Sequence, residues 1–183
     1  LMNGLPTDGV SFVHVIREDP VNPNLLYLGT DIGAYVSTNR GQGWQRFGSG
    51  LPTVPVHDLK VHPEQRELIA GTHGRSVWIN DVSALQQLTD AVAAKGSHLF
   101  TLRTAYQFTP ESRLAETQGH QVFQGDNPPF GAPIDYHIGA GTGGEVRISI
   151  TNASGDTVRV MSAPNTAGLN RVYWDLRAGR GGS

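Results

Sequence analysis

Gly4-Leu5-Pro6-Thr7 returns as Gly50-Leu51-Pro52-Thr53, at an offset of 46 residues, and Gly29-Thr30 returns as Gly71-Thr72, at an offset of 42. Between these anchors each copy carries a β-rich run and then a turn, Asp19-Pro20 in the first and His62-Pro63 in the second. A period of about 40–50 residues built from short strands is the pattern of propeller blades. Function then turns on how much of a propeller the chain holds, and on whether that part can do chemistry.

Working outward, Val10 to Glu18 alternates with period two, Phe12, His14 and Ile16 on one side and Val13, Val15 and Arg17 on the other, which predicts a strand. Asp19-Pro20-Val21-Asn22-Pro23 ends it with turn chemistry. Leu25 to Gly29 is apolar on both faces and predicts a central strand. Ala34 to Thr38 and Trp44 to Phe47 complete a four-stranded blade. The second copy repeats the order over Val56 to His62, Leu68 to Thr72 and Ser76 to Asn80, and lacks the fourth strand. In its place the sequence predicts a helix over Asp81 to Lys95, with Ser83 and Gln86 as a capping box, Leu85, Leu88 and Val92 on one stripe, and Gly96 as the stop. Leu99-Phe100 and Ala105-Tyr106 are strand-like, and Glu111 to Asn127 is polar and irregular. Ala132 to Ile138, Glu145 to Thr151, Thr157 to Met161 and Leu169 to Leu176 then predict four more strands, with Asn152 to Asp156 as a hairpin loop and Trp174 as a core anchor. That spacing fits a small immunoglobulin-like β-sandwich.

The totals narrow the function classes. A chain of 183 residues supports one or two domains with a real core. Its 23 glycines and 11 prolines, with charged residues at 16%, fit a turn-rich β protein. A net charge of −2 with no basic cluster argues against nucleic acid as a partner. With no cysteine there is no disulfide or thiolate metal site, and the redox compartment stays open. No apolar run reaches the roughly 18 residues that span a membrane. The opening Leu-Met-Asn-Gly-Leu-Pro has no leader pattern and is expected to be the interior of something larger.

Ser37-Thr38-Asn39-Arg40-Gly41-Gln42-Gly43-Trp44 resembles the Asp-box, the S-x-D-x-G-x-x-W hairpin of bacterial neuraminidase repeats, with Asn39 in place of the aspartate. The resemblance implies that this side chain caps the hairpin through backbone N–H groups, a bond Asn can still make, and that Trp44 packs between strands. More widely, Glu18-Asp19-Pro20-x-Asn22-Pro23-x-Leu25-Leu26-Tyr27-x-Gly29-Thr30 and Gly71-Thr72-His73-Gly74-Arg75-Ser76-Val77-Trp78-Ile79 resemble the closing blades of large secreted bacterial proteins related to sortilin-type propellers, often described as "glycosyl hydrolase, BNR repeat". Asn127-Pro128-Pro129-x-Gly131-Ala132-x-Ile134-x-Tyr136 and Gly168-Leu169-Asn170-Arg171-Val172-x-Trp174-Asp175-Leu176-Arg177 resemble their C-terminal immunoglobulin-like module, also found in flagellar hook-capping proteins. Such propellers have many blades, whereas this chain holds about one and three-quarters, and the G-x-Y-x-V strand that follows W-D-L-R in the module is absent. The chain is therefore expected to be truncated at both ends, as a tail fragment or a degenerate gene would be.

Each chemical motif has a bland alternative. His57, Asp58, His62 and His73 are possible metal ligands, yet they lack the tight spacing of metal motifs and fit strand ends and turns. Glu18 with Asp19, or Glu64 with Glu67, would have to face each other across a cleft about 5–9 Å wide to act as a glycosidase pair; neighbours on a strand diverge. A sialidase site needs three converging arginines and a Tyr–Glu pair. Arg17, Arg46, Arg66 and Arg75 are available, but Tyr27 and Tyr35 lie inside strands. Gly71 to Arg75 has no phosphate-loop context and reads as a β-turn with Arg75 packed over a neighbouring blade. Trp44 and Trp78 either stack on sugars or fill the core. Asn152-Ala153-Ser154 fits a glycosylation sequon and also a hairpin loop.

The expectation is an all-β chain. Residues 1–96 form the last two propeller blades with a short capping helix, 97–127 a connecting segment, 128–178 a partial immunoglobulin-like β-sandwich, and 179–183 a disordered tail. The structural motif residues are Ser37, Asn39, Gly41, Trp44, Gly71, Thr72, His73, Gly74, Arg75, Trp78, Trp174, Asp175 and Arg177. No catalytic, cofactor or metal residues are assigned. Two blades cannot close a ring, and repeat arrays need about three units to bury a continuous core, so the open face must be covered. The function expected is a non-catalytic scaffold subunit docking onto a larger assembly, a membrane-associated complex or a second copy. The resemblance implies an extracytoplasmic location. The alternatives are a fragment of a glycan-active enzyme and a carbohydrate-binding module using Trp44 or Trp78.

Overall fold

The structure, a computed structural model, describes residues 3–7, 9, 11–48, 50–107 and 129–179. It is mostly β, in antiparallel sheets, and divides into two compact units, Leu1–Ala94 and Lys95–Ser183. In the first unit, β1 (Val13–Glu18), β2 (Leu26–Thr30), β3 (Gly33–Ser37) and β4 (Gln45–Phe47) pair in chain order. β5 (Val56–His62), β6 (Glu67–Thr72) and β7 (Val77–Asp81) pair likewise in a second sheet.

The two sheets repeat each other pair by pair. Val13 opposes Thr30, the register slips at residue 14, and Ile16 opposes Leu28. In the second sheet Val56 opposes Thr72, the slip falls at residue 57, and Leu59 opposes Ala70. Tyr27 opposes Val36 and Gly29 opposes Ala34, as Ile69 opposes Ile79 and Gly71 opposes Val77. The sequence repeat is thus a repeat of register, bulge included.

The facing sides of the two sheets make the main core. Val15, Tyr27, Ala34 and Val36 from the first sheet are buried with Val56, Leu59, Leu68 and Ala70 from the second. Tyr27 and Leu25 are fully enclosed, and burying one such side chain contributes about 1.5–3 kcal/mol. The back of the first sheet carries a smaller cluster, Leu28, Tyr35 and Trp44, with Leu5 and Leu26 against it. Gly4 lets the chain run over Trp44: a Cβ there would lie 2.0 Å from the Trp44 carbonyl oxygen.

The expected helix over Asp81 to Lys95 is two helices, α1 (Ser83–Gln87) and α2 (Asp90–Ala93). Leu88 between them is extended, and the Thr89 hydroxyl accepts the Val92 N–H and starts the chain afresh. The expected capping box does not form. The Ser83 N–H bonds the Asp81 carboxylate at 2.8 Å, and the Gln86 amide reaches Asp19 instead. The Gln86 NH2 group serves a tertiary acceptor, while its Oε1, the atom a capping box would use, has no partner among the described residues.

In the second unit, β8 (Ser97–Leu99), β9 (Ala132–Ile138) and β12 (Gly168–Trp174) form a sheet with β9 central, and β10 (Val146–Thr151) pairs with β11 (Thr157–Ala163). Ala132, Ile134, Tyr136 and Ile138 of β9 are buried, as is Phe100. Asp135 and Arg171, directly opposite in register, form a bidentate pair at 2.6 and 2.8 Å. The Asn152 side-chain oxygen accepts the N–H groups of Ser154 and Asp156 and closes the predicted hairpin. Three expectations change. Ser97–Leu99, assigned to a connecting segment, is a strand paired with β9. Ala105-Tyr106 is not a strand, and Tyr106 is exposed. Trp174, the expected core anchor, is only half-buried at the last position of β12, and the expected strand stops there, short of Leu176, which is left-handed (φ 60°). The expected linker, Glu111 to Asn127, lies outside the described residues, as does the tail beyond Gly179. Among the described residues no helix is long and apolar enough to cross a membrane.

Candidate functional site

The hairpin from Ser37 to Trp44 is held by side chains. The Asn39 Oδ1 accepts the Gly43 N–H and the Ser37 hydroxyl, both at 2.9 Å, and the Ser37 oxygen accepts the Gly41 N–H at 2.8 Å. Gly41 is left-handed (φ 81°), and so is Arg40 before it. Trp44 is buried beneath Leu5. A cleft of about 200 Å³ beside this loop is lined by Asn3, Val36, Thr38, Asn39, Gly43, Trp44 and Gln45. None of these can titrate near neutral pH, so the cleft offers no acid or base.

In the second repeat, Thr72 bonds Ser76 across the Gly74 turn, and the Trp78 Nε1 donates to the Arg75 carbonyl at 2.8 Å while its ring packs on the main core. The expected packing of Arg75 over a neighbouring blade is not found, and the residue is exposed. Trp174 Nε1 donates to the Arg177 carbonyl, and Asp175 accepts the Arg177 N–H, which folds the W-D-L-R run into a turn.

The proposed carboxylate and arginine sets do not converge. Asp19 is buried and accepts N–H groups from Val21 and Asn22, the Tyr27 hydroxyl and the Gln86 amide. Burial, then the Asp19 charge, pushes the Tyr27 hydroxyl far above its ordinary value, so it stays a proton donor. Glu64 sits in an exposed turn. Arg17 bonds the Leu59 carbonyl and Asp58, whereas Arg46 bonds the Ile32 carbonyl and Thr53. His62 caps its own turn through Nδ1, which accepts the Gln65 N–H.

One cluster does form. His14 and His57, each at the bulge of its own repeat, lie in tilted contact with ring centroids 4.4 Å apart, and His57 stacks on His73 at 5.3 Å. The His14 Nε2 meets the Asp31 carboxylate at 2.6 Å. Asp31 and His73 are the residues that follow the repeated Gly-Thr. The Phe12 N–H first, and His14 second, hold the Asp31 carboxyl below the ordinary range. Among the described residues no group of three His, Asp or Glu side chains can hold a metal ion.

The feature that sets the first unit apart is the outer face of its second sheet. Tyr27, Ala34 and Val36 press the first sheet onto the second and are buried. Their register equivalents Ile69, Val77 and Ile79 point away from the main core, with Val77 at 59% and Ile79 at 60% exposure. Gly29 allows the sheets to meet: a Cβ there would lie 2.5 Å from the Val56 carbonyl oxygen. Gly71, its equivalent, has only the Asp58 carbonyl nearby, at 3.7 Å.

No protein-family model, curated protein or solved structure matches the chain. Its function therefore has to be argued from this geometry. Sequence reasoning missed His14 and Asp31 as members of this cluster, because the Gly-Thr anchors give an offset of 42, which sets His14 against Val56, one residue short of the 43 that joins it to His57. It also missed that the uncovered apolar residues fall at repeat-equivalent positions. Only the register reveals that.

Proposed function

We propose that the chain is a non-catalytic interaction module. Its first unit is a pair of propeller-type blades closed off by short helices, and its second is a partial immunoglobulin-like sandwich. The module docks onto a larger, extracytoplasmic assembly through the outer face of the second repeat. What carries this reading is the exposure of Val77 and Ile79 at the positions where Ala34 and Val36 are buried. Contiguous apolar surface of this kind marks a protein contact, and a sheet face built on a blade-packing register fits another sheet face best. The location rests on the resemblance to secreted propeller proteins alone.

A photo-crosslinking residue at position 79 tests the proposal in cells that make the chain, with one at exposed position 64 as control. A discrete product from 79 and none from 64 is expected. Equal labelling from both, or none from either, overturns the reading.

A further inference from the structure

We propose that the occupant of this face is the first repeat of a second copy of the same chain, stacked head to tail. The inference rests on the interaction reading above and adds the identity of the partner.

The chain carries both halves of the contact. Between its own two repeats, the second contributes Val56 and Leu59 from β5, at 0% and 1% exposure. Their register equivalents in the first repeat are Val13 and Ile16 of β1, at 55% and 52% exposure. The first repeat thus presents, uncovered at Val13 and Ile16, the β1 part of the surface that the second uses to bind it, while Leu28, the equivalent of Ala70, is already buried with Trp44. The second presents, uncovered at Val77 and Ile79, the β7 part of the surface that the first uses, with Asp58 standing where the first has Val15. Translating one copy along the repeat brings these faces together as an existing interface brings their equivalents together.

Two further observations fit the same match. Gly71 is bare where Gly29 admits the backbone of Val56. In the stacked pair it would admit the backbone of the next copy's Val13, and no other residue type leaves that room. The segment holding Leu5 does not obstruct the contact, since its counterpart Leu51 packs within the main core between the two repeats. The contact is heterologous: each copy uses a different face, so copies add in one direction until a ring closes or a chain grows.

Sedimentation of the purified full chain tests this with two variants, Ile79→Lys and Ile16→Lys, each changing an exposed side chain. The wild type is expected to self-associate at concentrations up to about 100 μM, within the micromolar affinities typical of weak specific contacts. Each variant alone is expected to be monomeric, with association weakened by about tenfold or more, because a charge is forced into an apolar interface core. Mixed in equal amounts, the variants should form a 1:1 dimer that grows no further, since each retains the face the other lacks. A monomeric wild type, variants that associate like the wild type, or a mixture that stays monomeric each overturns the inference. Circular dichroism melts confirm that the variants fold. A monomeric wild type combined with a crosslinked foreign protein at position 79 would refute self-stacking and leave the interaction reading standing. Without the crosslink, both fail.

Discussion

Gln86 donates its side-chain amide to both oxygens of Asp19, at 3.1 and 2.9 Å, across 67 positions of chain. The Asn22 side chain returns the bond to the Gln86 carbonyl at 3.3 Å. The first turn of the first repeat is thereby tied to the helix that follows the second. Both Asp19 and Gln86 are buried, so the tie operates where water cannot substitute for it. Gln86→Ala should lower unfolding free energy by about 1–3 kcal/mol, the cost of an unmet buried polar group. Gln86→Glu should cost more at neutral pH, by setting two carboxylates together, and should recover as pH falls and the pair takes up a proton. Urea unfolding at pH 7 and pH 5 checks both. An unchanged midpoint in either variant would show that the tie carries no weight.

Gly29 and Gly71 occupy the same register position and should answer substitution differently. Gly29→Ala forces a methyl group against Val56 backbone and the Val15 side chain. It should cost about 1–3 kcal/mol, as overpacking in a tight core does. Gly71→Ala meets only the Asp58 carbonyl at ordinary contact distance and should leave monomer stability within about 0.5 kcal/mol of wild type. If Gly71 admits a neighbouring copy, the same variant should weaken self-association while melting normally. Thermal melts and sedimentation of the two alanine variants separate these effects.

The strands were legible because alternation and turn residues act locally: Val56 to His62 and Ala132 to Ile138 stand at the residues that pattern predicts. The packing between repeats was legible only in outline. Nothing in the spelling of Ile69, Val77 and Ile79 separates them from Tyr27, Ala34 and Val36; what differs is whether a sheet lies against them. The helix was misread because the stripe of Leu85, Leu88 and Val92 runs on past Leu88, where the chain is extended and Thr89 caps a second helix, and because the partner of Gln86, Asp19, lies far away in sequence. The pairing of His14 with His57 depends on a bulge in each strand, and alternation does not report bulges.

Asn39 stands where the resembling hairpin has aspartate, and its Oδ1 already makes the two bonds that aspartate would make. Asn39→Asp should keep both and make them charge-assisted, holding or raising stability above about pH 4. Asn39→Ala leaves the Gly43 N–H without its acceptor and should cost about 1 kcal/mol. Chemical denaturation of the pair gives the ordering, and an alanine variant as stable as wild type would remove the hairpin cap as a structural device.

The imidazole row supplies a dependence on pH of known sign. Asp31 accepts the Phe12 N–H at 2.7 Å and meets His14 at 2.6 Å, and both hold its carboxyl below the ordinary value. A carboxyl lowered on folding favours the folded state above its unfolded value, near pH 4. That contribution fades as pH falls through the folded value. Asp31→Asn keeps an oxygen for the Phe12 N–H but has no proton to gain. The stability difference between wild type and Asp31→Asn should therefore be flat above about pH 5 and shift against wild type below about pH 4. Urea midpoints measured from pH 6 to pH 2 trace the difference directly. Parallel curves throughout that range would mean that Asp31 is not held as the geometry requires, and that the contact with His14 does not persist in solution.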